Sequence, residues 1–151
     1  MKRVLITGDR NWQSINVATI VLSRLSRRYG ERGYLIVHGD ASGVDAAFED
    51  KARSLRIRTE PHPADWETLG RRAGPVRNGQ MVAAGADFAI AVHRELGRSK
   101  GTRDCVEKCL AAGIPVYWIR DNNAEPLRVR GFDGVEVLTG KGGECDRLAA
   151  S

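Results

Sequence analysis

Gly97-Arg98-Ser99-Lys100-Gly101-Thr102-Arg103-Asp104 gathers small residues, hydroxyls and basic side chains into one short stretch. The run before it reads as a buried strand and the run after it as a helix, so the stretch joins a strand's carboxyl end to a helix's amino end. Unpaired N–H groups in a helix's first turn, together with the positive end of its dipole, make an anion site. Ser99 and Thr102 add hydroxyl donors, and Arg98, Lys100 and Arg103 add charge. A bound phosphate at Ser99, Lys100, Gly101 and Thr102 is one reading, and an ordinary capped turn is the other. Three further stretches carry comparable chemistry. In Gly8-Asp9-Arg10-Asn11-Trp12, Arg10 can clamp a phosphate or carboxylate and Trp12 can stack on a base, against a turn arginine and a core tryptophan. In Gly39-Asp40-Ala41-Ser42-Gly43-Val44-Asp45, two glycines admit a ligand close to the backbone and Asp45 can accept ribose hydroxyls. The local alternative there is a capping box, with Ser42 as N-cap and Asp45 at the third helical position. Finally, Arg77, Asn78 and Met81 fall on neighbouring parts of one helix surface. An arginine in a first helical turn opposes the dipole, a conflict that a bound anion removes.

Other chemistries find no support. The chain has no Gly-x-Gly-x-x-Gly dinucleotide fingerprint, no Gly-x-x-x-x-Gly-Lys-Ser/Thr phosphate loop and no Gly-x-Ser-x-Gly elbow. His38, His62 and His93 are scattered, and Cys105, Cys109 and Cys145 form neither a closed disulfide framework nor a metal-ligand pattern. No metal and no cofactor are expected.

The elements that must position these loops follow from periodicity. Strands are expected at 3–7, 34–37, 57–59, 87–92 and 116–119, the third short, charged and at a sheet edge. Helices are expected from Ser14 as N-cap to Tyr29, from Val44 to Leu55, from Gly74-Pro75 with proline in the first position, and over 102–112. A long irregular connection fills 61–74, and a hairpin pairs Leu127–Arg130 with Val135–Leu138. The segment from Lys141 onward reads as loose. Strands apolar on both faces that alternate with helices imply an α/β fold: a parallel sheet of about five strands flanked by helices, with a short C-terminal β-hairpin or irregular tail. Ligands of such sheets bind beyond the strands' carboxyl ends. The loops starting at Gly8, Gly39 and His93 all leave such ends and are expected to converge on one crevice.

At 151 residues, with 42% apolar and 28% charged residues, the composition is that of a globular domain. Residues 1–120 are expected to form that domain, with 121–151 an extension packed on it. The net charge of +5 favours anionic partners. No block of like charges marks a nucleic-acid tail, and no segment reads as a signal peptide or membrane span, so a cytoplasmic location is expected.

Taken together, Ile6-Thr7-Gly8-Asp9-Arg10-Asn11-Trp12, Val37-His38-Gly39-Asp40-Ala41-Ser42-Gly43-Val44-Asp45, Pro63-Ala64-Asp65-Trp66, Ala73-Gly74-Pro75-Val76-Arg77-Asn78-Gly79-Gln80-Met81, Ser99-Lys100-Gly101-Thr102-Arg103-Asp104 and Ala112-Gly113-Ile114-Pro115-Val116 resemble the SLOG superfamily, the Smf/DprA and LOG-type Rossmann-like proteins, and within it the YspA-related group. The resemblance spans about residues 3 to 119 and implies a Rossmann-like domain that binds a nucleotide or nucleotide-derived small molecule, as a sensor or otherwise. LOG-type relatives are phosphoribohydrolases that cleave the base from a nucleoside monophosphate. They use an Arg in Arg-Lys-x-x-Met and a Glu in Pro-Gly-Gly-x-Gly-Thr-x-x-Glu. Arg77 matches that Arg, with Asn78 in place of Lys, and Gly101-Thr102 match the Gly-Thr pair. Cys105 stands at the Glu position and Asp104 one residue before it, so the catalytic alternative rests on Arg77 and an offset Asp104. DprA-type relatives imply single-stranded DNA binding as a second alternative, which basic residues without interleaved exposed aromatics favour less. LOG-type relatives also imply a homodimer.

Overall fold

The computed structural model describes residues 1–140, so the expectation for the segment from Lys141 onward lies outside the described residues. Seven strands form one sheet: β1 (Lys2–Gly8), β2 (Tyr34–His38), β3 (Arg58–Pro61), β4 (Phe88–Val92), β5 (Val116–Ile119), β6 (Leu127–Asp133) and β7 (Glu136–Gly140). Their order is β3-β2-β1-β4-β5-β6-β7. The first five are mutually parallel, and β6 and β7 add an antiparallel hairpin to the β5 edge. β2 and β4 are buried throughout, as strands covered on both faces must be.

Helices α1 (Asn16–Tyr29) and α2 (Val44–Ser54) cover one face, where Val17, Val21, Leu22, Leu25 and Phe48 pack on Val4, Ile6, Ile36 and Ile90. After the short α3 (Trp66–Leu69), helices α4 (Ala73–Ala84) and α5 (Gly101–Ala111) cover the other, placing Met81, Cys105, Val106 and Cys109 on Leu5, Val37, Ala89 and Ala91. Each fully buried side chain of this size contributes about 1.5–3 kcal/mol. Among the described residues, no helix is long and apolar enough to cross a membrane.

The chain steps outward from β1 through β2 to β3, then returns to lay β4 on the other side of β1. The strand order therefore reverses between β1 and β4. Loops leaving these two carboxyl ends diverge and open a crevice at that point.

Several boundaries differ from the sequence expectation for local reasons. α1 starts at Asn16 without a side-chain cap, because the Ser14 hydroxyl accepts from the Asn16 N–H (3.1 Å) in a tight turn instead. The 61–74 connection is partly helical: α3 is capped by Asp65, which accepts from the Thr68 N–H (3.2 Å), and a 3-10 turn at Gly70–Arg72 follows. α4 consequently begins at Ala73, with Pro75 in its third position. The N–H that proline lacks is one the first turn leaves unpaired anyway. The hairpin turns more tightly than expected, at Gly134 (φ 59°), and a bulge between Val129 and Gly131 lengthens β6.

At the β3 edge the Arg3 guanidinium grips Glu60 with two hydrogen bonds (2.9 and 2.7 Å), and His62 Nε2 lies 2.8 Å from the same carboxylate. Hydrogen bonds from Arg3 and then His62 pull the Glu60 carboxyl down from 4.5 to about 2. A depressed carboxylate stabilises the fold above its unfolded value, and that contribution is lost as pH falls toward the folded one. Glu60→Gln is therefore expected to flatten the thermal-stability profile between pH 4.5 and about 2. Because Glu60 is 38% exposed, the effect stays below about 1 kcal/mol. Calorimetric melts giving parallel profiles for both proteins would contradict the assignment.

Candidate functional site

A cleft of about 290 Å³ opens at the β1–β4 reversal. Its lining comes from the end of β1 and its loop (Thr7 to Asn11), the β2 loop (Ala41), α2 (Asp45), α4 (Arg77, Asn78, Met81) and the segment from β4 into α5 (His93, Glu95, Arg98 to Thr102). The loops after three strands thus meet at one rim. A second cleft of about 310 Å³ adjoins it through Arg10, Ala41 and Arg77, and is lined further by Gly39, Asp40, Ser42, Pro63, Ala64 and Trp66.

At the α5 end, the Thr102 N–H donates to the Ser99 hydroxyl (3.1 Å). Ser99 therefore caps the helix through its oxygen, rather than serving only as a donor toward a ligand. Lys100 occupies the N-cap position itself without a capping side chain. The loop leading to this end is braced by the hairpin. Arg103 donates to the carbonyls of Gly97 (2.9 Å) and Gly134 (2.6 Å) and lies 4.3 Å over the Phe132 ring.

The β2 loop is held from below. Asp45 Oδ2 accepts from the Gly39 N–H (3.0 Å) and the Ala41 N–H (3.3 Å). The Ser42 hydroxyl donates to the Arg10 carbonyl (3.1 Å). The capping box does not form: Gly43 is the N-cap of α2, and Asp45 is spent on tethering the loop instead. Burial pushes the Asp45 carboxyl up, against the opposing pull of His38, the two backbone donors and Arg77.

Arg77 is buried. Its guanidinium donates to the Gly39 carbonyl and, through Nε, to Asn78 Oδ1 (2.9 Å). Burial lowers its pKa, while Asp45 works in the other direction. Because α4 starts at Ala73, Arg77 sits in the second turn, and the expected conflict with the dipole does not arise. Asn78 passes the contact on, donating to Asp104 Oδ2 (3.0 Å).

Of the expected ligand contacts, Gly8, Asp9, Arg10, Ala41, Asp45, Arg77, Asn78, Ser99, Lys100, Gly101 and Thr102 line the first cleft, and Gly39 and Asp40 line the second. Three expected residues stand apart. Trp12 is 8% exposed and packs in the α1 core, with the Arg94 guanidinium 5.2 Å over its ring, so the core reading holds for it. Gly43 (φ 74°) lies under the β1 loop, where a Cβ would meet the Asp9 carbonyl oxygen at 2.2 Å; its role is to admit that loop. Asp104 lies outside the lining, its carboxylate held by Lys108 Nζ (2.6 Å) and Asn78. Cys105 is fully buried, and hydrogen bonding to Cys109 together with burial raises its thiol well above the ordinary range.

The sequence reading missed His93 and Glu95, whose signal was their place just past the end of β4. It also missed Trp66 as a site aromatic. That ring is 47% exposed, with the Arg10 guanidinium 5.0 Å over it. The lining of the first cleft is mixed in charge, with Arg10, Arg77, Arg98 and Lys100 beside Asp9, Asp45 and Glu95, and Arg98 and Lys100 are the cations next to α5. Among the described residues no group of His, Cys, Asp and Glu is arranged to hold a metal.

Comparison with known proteins bears on the fold and the family. The solved structure of DNA processing protein A (DprA) from Streptococcus pneumoniae superposes with a TM-score of 0.58 at 16% identity, covering 78% of this chain and 50% of that one. The likeness is one of fold, and this chain spans about half the length of that protein. The Gene 61 protein of Mycobacterium phage D29 is 42% identical over an alignment of 121 residues that covers 77% of this chain and 94% of the phage protein. A family profile, YAcAr, matches residues 2–68, from β1 into α3. With the motif-bearing loops of that profile gathered at one strand-order reversal, the chain belongs to the YspA, cpYpsA-related SLOG family.

Proposed function

We propose that the cleft at the β1–β4 reversal binds a nucleotide-derived ligand whose phosphate lies on the N-terminus of α5. The observation that carries this reading is the convergence of the β1, β2 and β4 loops on one concave rim, one wall of which is the N-terminal end of the eleven-residue α5, with Lys100, Gly101 and Thr102 in the lining. Backbone donors there suit a phosphate, and Arg98 and Lys100 add charge. The adjoining cleft offers Arg10 and Trp66 to a base, in the part first assigned to Trp12. A base stacked on an aromatic side chain contributes about 1–3 kcal/mol.

Binding is favoured over glycosidic cleavage because the carboxylate of Asp104 is tied to Lys108 and Asn78, and position 105 carries a buried thiol. It is favoured over single-stranded DNA because the cleft is small and its lining carries both signs of charge, whereas a DNA groove is continuous and basic.

Calorimetric titration with nucleoside monophosphates is expected to give micromolar affinity for at least one of them, weakened about tenfold in Lys100→Ala, the magnitude of one charge-assisted phosphate contact. No binding across the panel overturns the reading. Free base appearing in the same mixtures assigns turnover to the site, and a gel shift that weakens steeply with salt assigns DNA.

A further inference from the structure

Asp45 carries an oxygen that the fold does not use. The residue is 6% exposed and lines the first cleft. Its Oδ2 accepts from Gly39 and Ala41, yet Oδ1 is buried and has no hydrogen-bond partner among the described residues. Buried carboxylate oxygens are almost always paired, so an unpaired one beside a cleft marks where a ligand donor belongs. The charge on Asp45 is already answered within the protein by Arg77. A cationic donor would also have to approach Arg10 and Arg77 on the same wall. A neutral donor meets neither obstacle, and a hydroxyl is the neutral donor that a phosphorylated sugar carries.

Resting on the nucleotide reading above, we propose that the Asp45 carboxylate accepts a hydrogen bond from a sugar hydroxyl. The site thereby selects a ribose-bearing monophosphate over inorganic phosphate and over a sugar stripped of its hydroxyls. The proposal gives the two ends of the cleft different tasks: α5 takes the anion, and α2 reads the sugar. It also explains why Asp45 is held at its place by two backbone donors. An acceptor fixed in advance loses no rotamer freedom when the ligand arrives.

The test compares nucleoside 5′-monophosphates with their 2′,3′-dideoxy counterparts and with inorganic phosphate, by calorimetry, on the wild type and on Asp45→Asn. In that variant the amide oxygen retains the Gly39 and Ala41 contacts, while the amide nitrogen replaces the unpaired acceptor with a donor. The wild type is expected to bind the ribose form about tenfold or more tighter than the dideoxy form, and Asp45→Asn to reduce that ratio to about two or less. Inorganic phosphate is expected to bind both proteins alike. Equal affinity of the wild type for the two sugars overturns the proposal and assigns the unpaired oxygen to water. A ratio that persists in Asp45→Asn also overturns it. Should the variant fail to fold, the ¹³C shift of the wild-type Asp45 carboxyl decides: it moves with the ribose form only, or the proposal falls. Phosphate binding without sugar discrimination leaves the anion site standing and removes this inference alone. Failure of every phosphate compound to bind removes both.

Discussion

Arg77→Ala is expected to lower stability by about 3–5 kcal/mol, the range found when one partner of a buried charge cluster is deleted. The side chain is 7% exposed and its donors serve the Gly39 carbonyl and Asn78 Oδ1. Truncation leaves both acceptors short of a partner and takes the Arg77 charge away from Asp45. Glycine at 39 belongs to the same arrangement, since a Cβ there would meet the Arg77 guanidinium at 2.4 Å. For a domain of this size the loss corresponds to a melting temperature lower by roughly 10 °C. Phosphate and nucleotide binding should disappear with it, because the β2 loop loses its seat. Arg77→Lys keeps the charge but not the fork that reaches Gly39 and Asn78 together, and should fall between the two. Urea denaturation checks the series, and a midpoint for Arg77→Ala within experimental error of the wild type would show that the guanidinium is not part of the fold's support.

That prediction also shows which parts of the site were legible in the sequence. The central parallel strands could be read because a strand buried on both faces must be an unbroken apolar run, as in Phe88–Val92, whereas β3, charged and partly exposed, was legible only as a short edge strand. The three loops could be placed at carboxyl ends from chain order alone. Single side chains could not be assigned in the same way. Trp12 and Trp66 both lie in irregular connections as read from the sequence, and nothing in the sequence near either says which ring is buried; the outcome depends on α1 covering Trp12 and on Arg10 reaching Trp66. Ser42 and Asp45 match the capping-box spacing, yet Asp45 turns back to Gly39 and Ala41 because Gly43, at φ 74°, starts the helix one residue later than the box requires. Arg77 lay in a first turn only if the helix began at Gly74-Pro75. The 3-10 turn at Gly70–Arg72 moved that start and changed the physics of the residue. Periodicity reports faces and ends of elements, whereas the role of one polar side chain depends on contacts dozens of residues away.

Gly43→Ala should be severely damaging, and two separate causes can be told apart. Gly43 has φ 74° and ψ −120°, a conformation that costs an L-residue about 1–3 kcal/mol. In addition, its Cβ would lie 2.2 Å from the Asp9 carbonyl oxygen and 2.5 Å from the Arg10 carbonyl carbon, backbone atoms that cannot rotate away. The β1 loop would have to move, breaking the bond from the Val44 N–H to the Asp9 carbonyl (3.0 Å) and the Ser42–Arg10 bond. The combined loss is expected to reach about 3 kcal/mol or more. Gly113→Ala is the control. It shares the positive φ (77°), but its Cβ would have no atom within 4 Å, so only the conformational cost of about 1 kcal/mol remains. Thermal melts of the two variants therefore separate strain from contact. Equal shifts would mean that the β1 loop gives way freely. A much larger shift for Gly43→Ala, together with lost nucleotide binding, would mean that the β1 and β2 loops are locked to one another before any ligand arrives.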